Sequence, residues 1–138
     1  MQKKINSLEN RKESYTTSKN TFISFKYAFS GINYVFKTSR NLKIQIIFAI
    51  TSLMMGFFLQ ISLSNFIVLI STILSVLILE ILNTSIESLV DLIIKKEFSN
   101  LAKIAKDTSA GAVLLASFNS VIIGLYIFFP KIELLFFN

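Results

Sequence analysis

The chain has 138 residues and a net charge of +6; 53% of its residues are hydrophobic, and its mean hydropathy is +0.64. That composition excludes an ordinary soluble domain of this length and suits one helical membrane unit. It contains no cysteine and no histidine, which rules out disulfides, thiolate metal sites and imidazole catalysis and leaves carboxylates, hydroxyls, amides and lysines for any chemistry.

Residues 1–20 are polar, rich in Lys, Ser, Thr and Asn, and lack apolar periodicity, so they read as a mobile cytoplasmic tail ahead of a single domain over residues 21–138. A secretory signal is not expected, because the first long apolar run begins only near Ile44. From about 21 to 38, Phe22, Phe25, Phe29, Ile32 and Phe36 recur at helical spacing with Lys26 and Lys37 on the flank. This pattern predicts an amphipathic helix lying in the membrane interface, or an aromatic stripe packed on neighbouring helices.

Three apolar runs follow, over about 44–63, 66–93 and 110–129, each long enough for the ~20 residues that cross a bilayer core. Gln60 to Asn65 predicts a tight turn between the first two, Lys95 to Lys106 a return along the membrane surface, and Pro130 the end of the third. In the third run Ala112, Ala116, Ser120 and Gly124 repeat every four residues, the pattern of a helix packing seam within or between subunits. Basic residues cluster before the first run and between the second and third, which predicts a cytoplasmic N-terminus. No basic-aromatic recognition motif accompanies them, so nucleic acid is not the expected partner.

The second run carries the chemistry. Glu80, Asn83, Glu87 and Asp91 are spaced by three, four and four residues. At about 100° per residue they share an arc of about 80° on one helical face. A carboxylate at membrane depth is costly, and its persistence there marks a functional site. Glu80 and Glu87 lie about 10 Å apart along a helix axis. Glu87, nearer the surface, suits a divalent cation bridging nucleotide phosphates. Glu80, deeper and less solvated, suits a base toward a lipid hydroxyl. Lys106 is placed to neutralise phosphate charge, and Asp91 and Asp107 to hold nucleotide groups or metal. The four glycines form no phosphate-cradling loop, which excludes a P-loop ATPase.

The string E-I-L-N-T-S-I-E-S-L-V-D from Glu80 to Asp91, then A-K-D at Ala105 to Asp107 and A-G-A-V, resembles the prokaryotic diacylglycerol kinase and undecaprenol kinase family. S-F-K-Y-A-F-S-G-I at Ser24 to Ile32 and S-R-N-L-K-I-Q at Ser39 to Gln45 are similar to its other signatures. The resemblance implies an all-α membrane protein with three transmembrane helices and an N-terminal interfacial helix, assembled as a homotrimer with sites between subunits. It implies ATP as phosphoryl donor, Mg²⁺ as metal and a membrane lipid alcohol as acceptor, undecaprenol in preference to diacylglycerol, in a bacterial plasma membrane. On the same grounds Glu80 is the catalytic carboxylate, Glu87 a metal ligand, and Asn83, Glu87, Asp91, Lys106 and Asp107 the nucleotide site. Arg40, Asn41 and Glu80 are expected at the lipid. Ser39 stands where the family usually has a glutamate, a second metal ligand; serine offers only a neutral oxygen, which weakens metal binding and turnover. Gln45 likewise replaces a commonly acidic or imidazole residue. Two readings of another class compete with the kinase: a proton-conducting oligomer with a Glu80–Glu87 relay, and a silent membrane scaffold.

Overall fold

The computed structural model describes residues 21–95 and 97–137, which form four helices and no strand. They are α1 (Thr21–Thr38), α2 (Arg40–Phe58), α3 (Leu63–Ile94) and α4 (Asn100–Phe137). The last three are long and apolar enough to cross a membrane, so the expected all-helical architecture with three spans holds. The tail expected over residues 1–20, and Lys96, lie outside the described residues.

The helix ends differ from the apolar runs, because side-chain caps set them. Ser39 starts α2, its hydroxyl oxygen accepting the Leu42 N–H at 3.1 Å. Ser62 starts α3 by accepting the Asn65 N–H at 3.3 Å, and Ser99 starts α4 by accepting the Ala102 N–H at 3.4 Å. Each serine satisfies one of the N–H groups that a helix N-terminus leaves open. The surface return is consequently short: helix resumes at Asn100, and Lys103 and Lys106 belong to the first turns of α4.

The first turn is also tighter than Gln60 to Asn65. α2 closes with Gln60 in the left-handed region at φ 46°, its N–H donating to Phe57 O and the Ile61 N–H to Gly56 O, both at 3.2 Å. This is a Schellman closure, with glutamine where glycine is usual. Gly56 packs tightly there: a Cβ on it would stand 3.0 Å from the end of the Ile61 side chain, which would have to shift to make room.

Pro130 does not end the third span; α4 runs through it to Phe137. Proline removes one intrahelical donor, but neighbouring groups and helix-favouring residues carry a membrane helix past such a site. Lys131, one residue on, reaches back to donate to Gln60 O at 3.3 Å.

Two compact units divide between Tyr34 and Val35. In the first, the face of α1 that carries Phe22, Phe25 and Phe29 is exposed, as is Tyr27. In the second, α2 and α4 each pack on α3 and scarcely touch one another. Its apolar core gathers Leu69, Ile127 and Phe128 with Leu53, Met55 and Ile73 beside the α2–α3 turn. Most other large apolar side chains on these helices are exposed, among them Phe48, Leu82, Leu115 and Phe118, as lipid-facing surfaces require.

Candidate functional site

At the other end of α3, away from that core, lies a polar site. α3 has 32 residues and so is about 48 Å long, against a hydrocarbon core of about 30 Å. Counted from Leu63, Glu80 comes about 26 Å along the helix, Glu87 about 36 Å and Asp91 about 42 Å. Exposure rises along this length: Glu80 is 2% exposed, Glu87 half-buried and Asp91 exposed.

Glu80 is held from α2. The Ser39 hydroxyl donates to Glu80 Oε1 at 2.7 Å, and the Gln45 amide Nε2 donates to Oε2 at a longer 3.4 Å. Because Ser39 is also the N-cap of α2, the carboxylate sits beside the N-terminus of that helix. Oε2, with the weaker contact, is the oxygen left available to a substrate proton. The other half of the Gln45 amide, Oε1, is buried and takes no hydrogen bond.

One helical turn on, Asn83 is 6% exposed and engaged at both ends of its amide. Its Nδ2 donates to Glu87 Oε1 at 3.1 Å, and its Oδ1 accepts the Ser109 hydroxyl of α4 at 2.6 Å. Ser109 Oγ also lies 2.9 Å from Lys106 O, but its single hydrogen serves one acceptor at a time. The amide thus fixes Glu87 from behind and leaves Oε2 of Glu87 free. Further out, Lys106 of α4 pairs with Asp91 of α3 at 2.7 Å, with side chains 35% and 62% exposed. Solvent screens this pair, so it opens at little cost to a phosphate group.

The spacing rule thus brings Glu80, Asn83, Glu87 and Asp91 to one face, with Lys106 opposite. Asp107 is exposed on the next residue, and Arg40 and Asn41 are exposed in the first turn of α2. Ser39 is brought to Glu80 and makes no hydrogen bond to Glu87. Ser109 and the contact of Gln45 with Glu80 were not anticipated. Ser109 carried one signal, its place three residues after Lys106 on the same helical face.

Among the described residues no three carboxylates gather into a cation cage. One free carboxylate oxygen on Glu87 still fits Mg²⁺, which keeps waters and is usually held by one or two carboxylates together with substrate phosphates.

The family model for prokaryotic diacylglycerol kinase matches residues 26–128, a stretch that contains every group of this site. Among similar proteins, a diacylglycerol kinase of Synechocystis sp. is 39% identical over 122 residues, covering 88% of this chain and 70% of the relative. An undecaprenol kinase of Bacillus subtilis is 41% identical over 111 residues, covering 80% of this chain and 89% of the relative. With its three membrane-length helices and its graded row of carboxylates, the chain belongs to the prokaryotic diacylglycerol kinase family, lipid kinases that take their phosphoryl group from ATP.

Proposed function

We propose that this chain transfers the γ-phosphoryl group of Mg-ATP to the hydroxyl of undecaprenol at the cytoplasmic face of a bacterial plasma membrane. The observation that carries the reading is the graded row on α3. A buried carboxylate at the hydrocarbon edge lies about 10 Å from a half-buried one in the interface, as a lipid hydroxyl and a nucleotide meeting at the membrane surface require.

Glu80 Oε2 takes the hydroxyl proton as the acceptor oxygen bonds to the γ-phosphorus. The bond from that phosphorus to the β,γ-bridging oxygen breaks, and ADP departs with the bridging electron pair. Glu87 would hold Mg²⁺, which supplies charge neutralisation on the phosphates. Asn83 holds Glu87 in place, and Asp91 and Asp107 take further groups of the nucleotide. Lys106 exchanges Asp91 for phosphate oxygen, and Arg40 and Asn41 meet the lipid headgroup region. Ser39 acts on Glu80 and is not a strong metal ligand, since its hydrogen and one lone pair are both engaged.

The basic residues ahead of α2 and between α3 and α4 support a cytoplasmic placement of this end. An oligomer, a trimer in our reading, is supported by Asn119: its amide is exposed at mid-span beside Ser71 and Ser75, with no hydrogen-bond partner among the described residues. An amide at that depth calls for a partner on another helix.

Diacylglycerol is the second acceptor to consider, because the Synechocystis relative bears that name. Labelled ATP and Mg²⁺ with the purified protein in lipid micelles, given undecaprenol and diacylglycerol in parallel, decide between them. Label in undecaprenol alone is the expected result. Label in diacylglycerol alone transfers the assignment, and label in neither, with the protein folded, removes the kinase reading and returns attention to proton conduction.

A further inference from the structure

The Glu87 end of the site depends on one hydroxyl. Glu87 Oε1 accepts from Asn83 Nδ2 at 3.1 Å, and Asn83 Oδ1 accepts from Ser109 Oγ at 2.6 Å. An ionised carboxylate accepts hydrogen bonds and donates none. Turning the amide over would set Oδ1 against Glu87 Oε1, two acceptors face to face. Nδ2 must therefore face Glu87, and Oδ1 must face α4. Asn83 is 6% exposed, so its carbonyl oxygen needs a donor from the protein.

Ser109 is that donor, and its surroundings offer no substitute. On α3, Thr84 and Ser88 are spent on their own helix, donating to Glu80 O at 3.0 Å and to Thr84 O at 2.8 Å. On α4, the residues three and four positions from Ser109 are Ala105, Lys106, Ala112 and Val113. The Lys106 ammonium is turned to Asp91 at 2.7 Å, and the other three side chains carry no polar group. Without the Ser109 hydroxyl the buried amide loses its donor and shifts to find another, and Glu87 loses its anchor with it.

Resting on the lipid kinase reading, in which Glu87 would hold Mg²⁺, we infer that Ser109 is a positioning residue for that carboxylate. It acts through Asn83: its hydrogen fixes the amide, the amide holds Glu87 Oε1, and Oε2 stays presented to a cation. Ser109 also stands three residues beyond Lys106, with its Oγ 2.9 Å from Lys106 O. It thus ties the carboxylate arm on α3 to the turn of α4 that carries the lysine, so the cation and phosphate contacts of one nucleotide are held in register.

The test uses the full chain in nanodiscs with Mn²⁺ and the β,γ-imido analogue of ATP. Water-proton relaxation enhancement reports this metal–nucleotide pair once it is bound. Ser109→Ala should weaken binding of the pair about tenfold, the lower end of what losing such an outer partner costs a metal ligand. Ser109→Thr, which keeps the hydroxyl, should bind within about twofold of wild type. Ser85→Ala removes an exposed hydroxyl already spent on Ile81 O at 2.9 Å and should bind as wild type does. In the kinase assay Ser109→Ala should raise KM for Mg-ATP about tenfold and leave KM for the lipid alcohol unchanged. Equal binding by Ser109→Ala and wild type overturns the proposal. So does a loss that Ser109→Thr fails to restore although its thermal midpoint matches wild type. The same loss and rescue, found for a chain whose wild type phosphorylates no lipid, uphold the role of Ser109 while the kinase reading fails.

Discussion

Ser39 gives its hydroxyl hydrogen to Glu80 Oε1 at 2.7 Å and takes the Leu42 N–H on the same oxygen at 3.1 Å, so one side chain both begins α2 and seats the buried carboxylate. Ser39→Ala removes both bonds. A lost cap and a buried acceptor short of one donor together cost about 1–3 kcal/mol. The thermal midpoint in detergent should fall and kcat with it, with KM for ATP unchanged, while Ser39→Thr, which keeps the hydroxyl, restores most of both.

Ser39→Glu carries a different expectation. It sets a second carboxylate where Ser39 now touches Glu80, and two like charges that close disfavour the folded state until a cation joins them. Its unfolding midpoint should lie below wild type in chelator and rise with added Mg²⁺ more steeply than wild type does. A midpoint indifferent to Mg²⁺ would show that this position does not contribute to a metal site.

Glu80→Gln retains shape and loses the base. Loss of general-base catalysis is worth about 10²–10⁴ in rate, so phosphoryl transfer from labelled ATP should fall at least about a hundredfold. Circular dichroism and oligomer size should stay as in wild type; substantial turnover in this variant would remove Glu80 from the base role.

Asn83 is the joint between Glu87 on its own helix and Ser109 on α4, and it is nearly inaccessible. Asn83→Leu frees Glu87 to wander and leaves the Ser109 hydroxyl without its shorter partner. We expect KM for Mg-ATP to rise about tenfold and stability to fall by about 1–3 kcal/mol, with KM for the lipid little changed. Steady-state kinetics with each substrate varied in turn separates these effects.

Asn119→Leu tests the assembly. An interhelical amide bond in a membrane is worth roughly 1–2 kcal/mol at most, so the oligomer should dissociate at a several-fold lower detergent dilution, with each chain still helical. Light scattering across a dilution series reads this directly; an unmoved midpoint would place Asn119 outside the subunit contact.

Much of the fold was legible because three apolar runs of spanning length leave few alternatives to helices. Their ends were not, since hydropathy marks where lipid is met, whereas Ser39, Ser62 and Ser99 mark where the backbone turns. Pro130 misled in the same way: a rule about isolated helices gave way to a long apolar helix that continues past it. At the site, the row from Glu80 to Asp91 could be read from spacing alone, because those neighbours are set by one helix. The contacts of Ser39 and Gln45 with Glu80, and of Ser109 with Asn83, join residues 41, 35 and 26 positions apart. Such pairings arise only from how the helices pack, and nothing in the sequence signals that the Ser39 hydroxyl stands between the helix cap and Glu80.

The burial of Glu80, 2% exposed, has a kinetic side. On the lipid kinase reading, an acceptor dissolved in the bilayer reaches this carboxylate by lateral diffusion, without crossing water. The relevant concentration is then a mole fraction: diluting the acceptor with inert phospholipid at constant total acceptor should slow the reaction, whereas diluting the whole suspension with buffer, at saturating Mg-ATP, should leave the rate per protein unchanged.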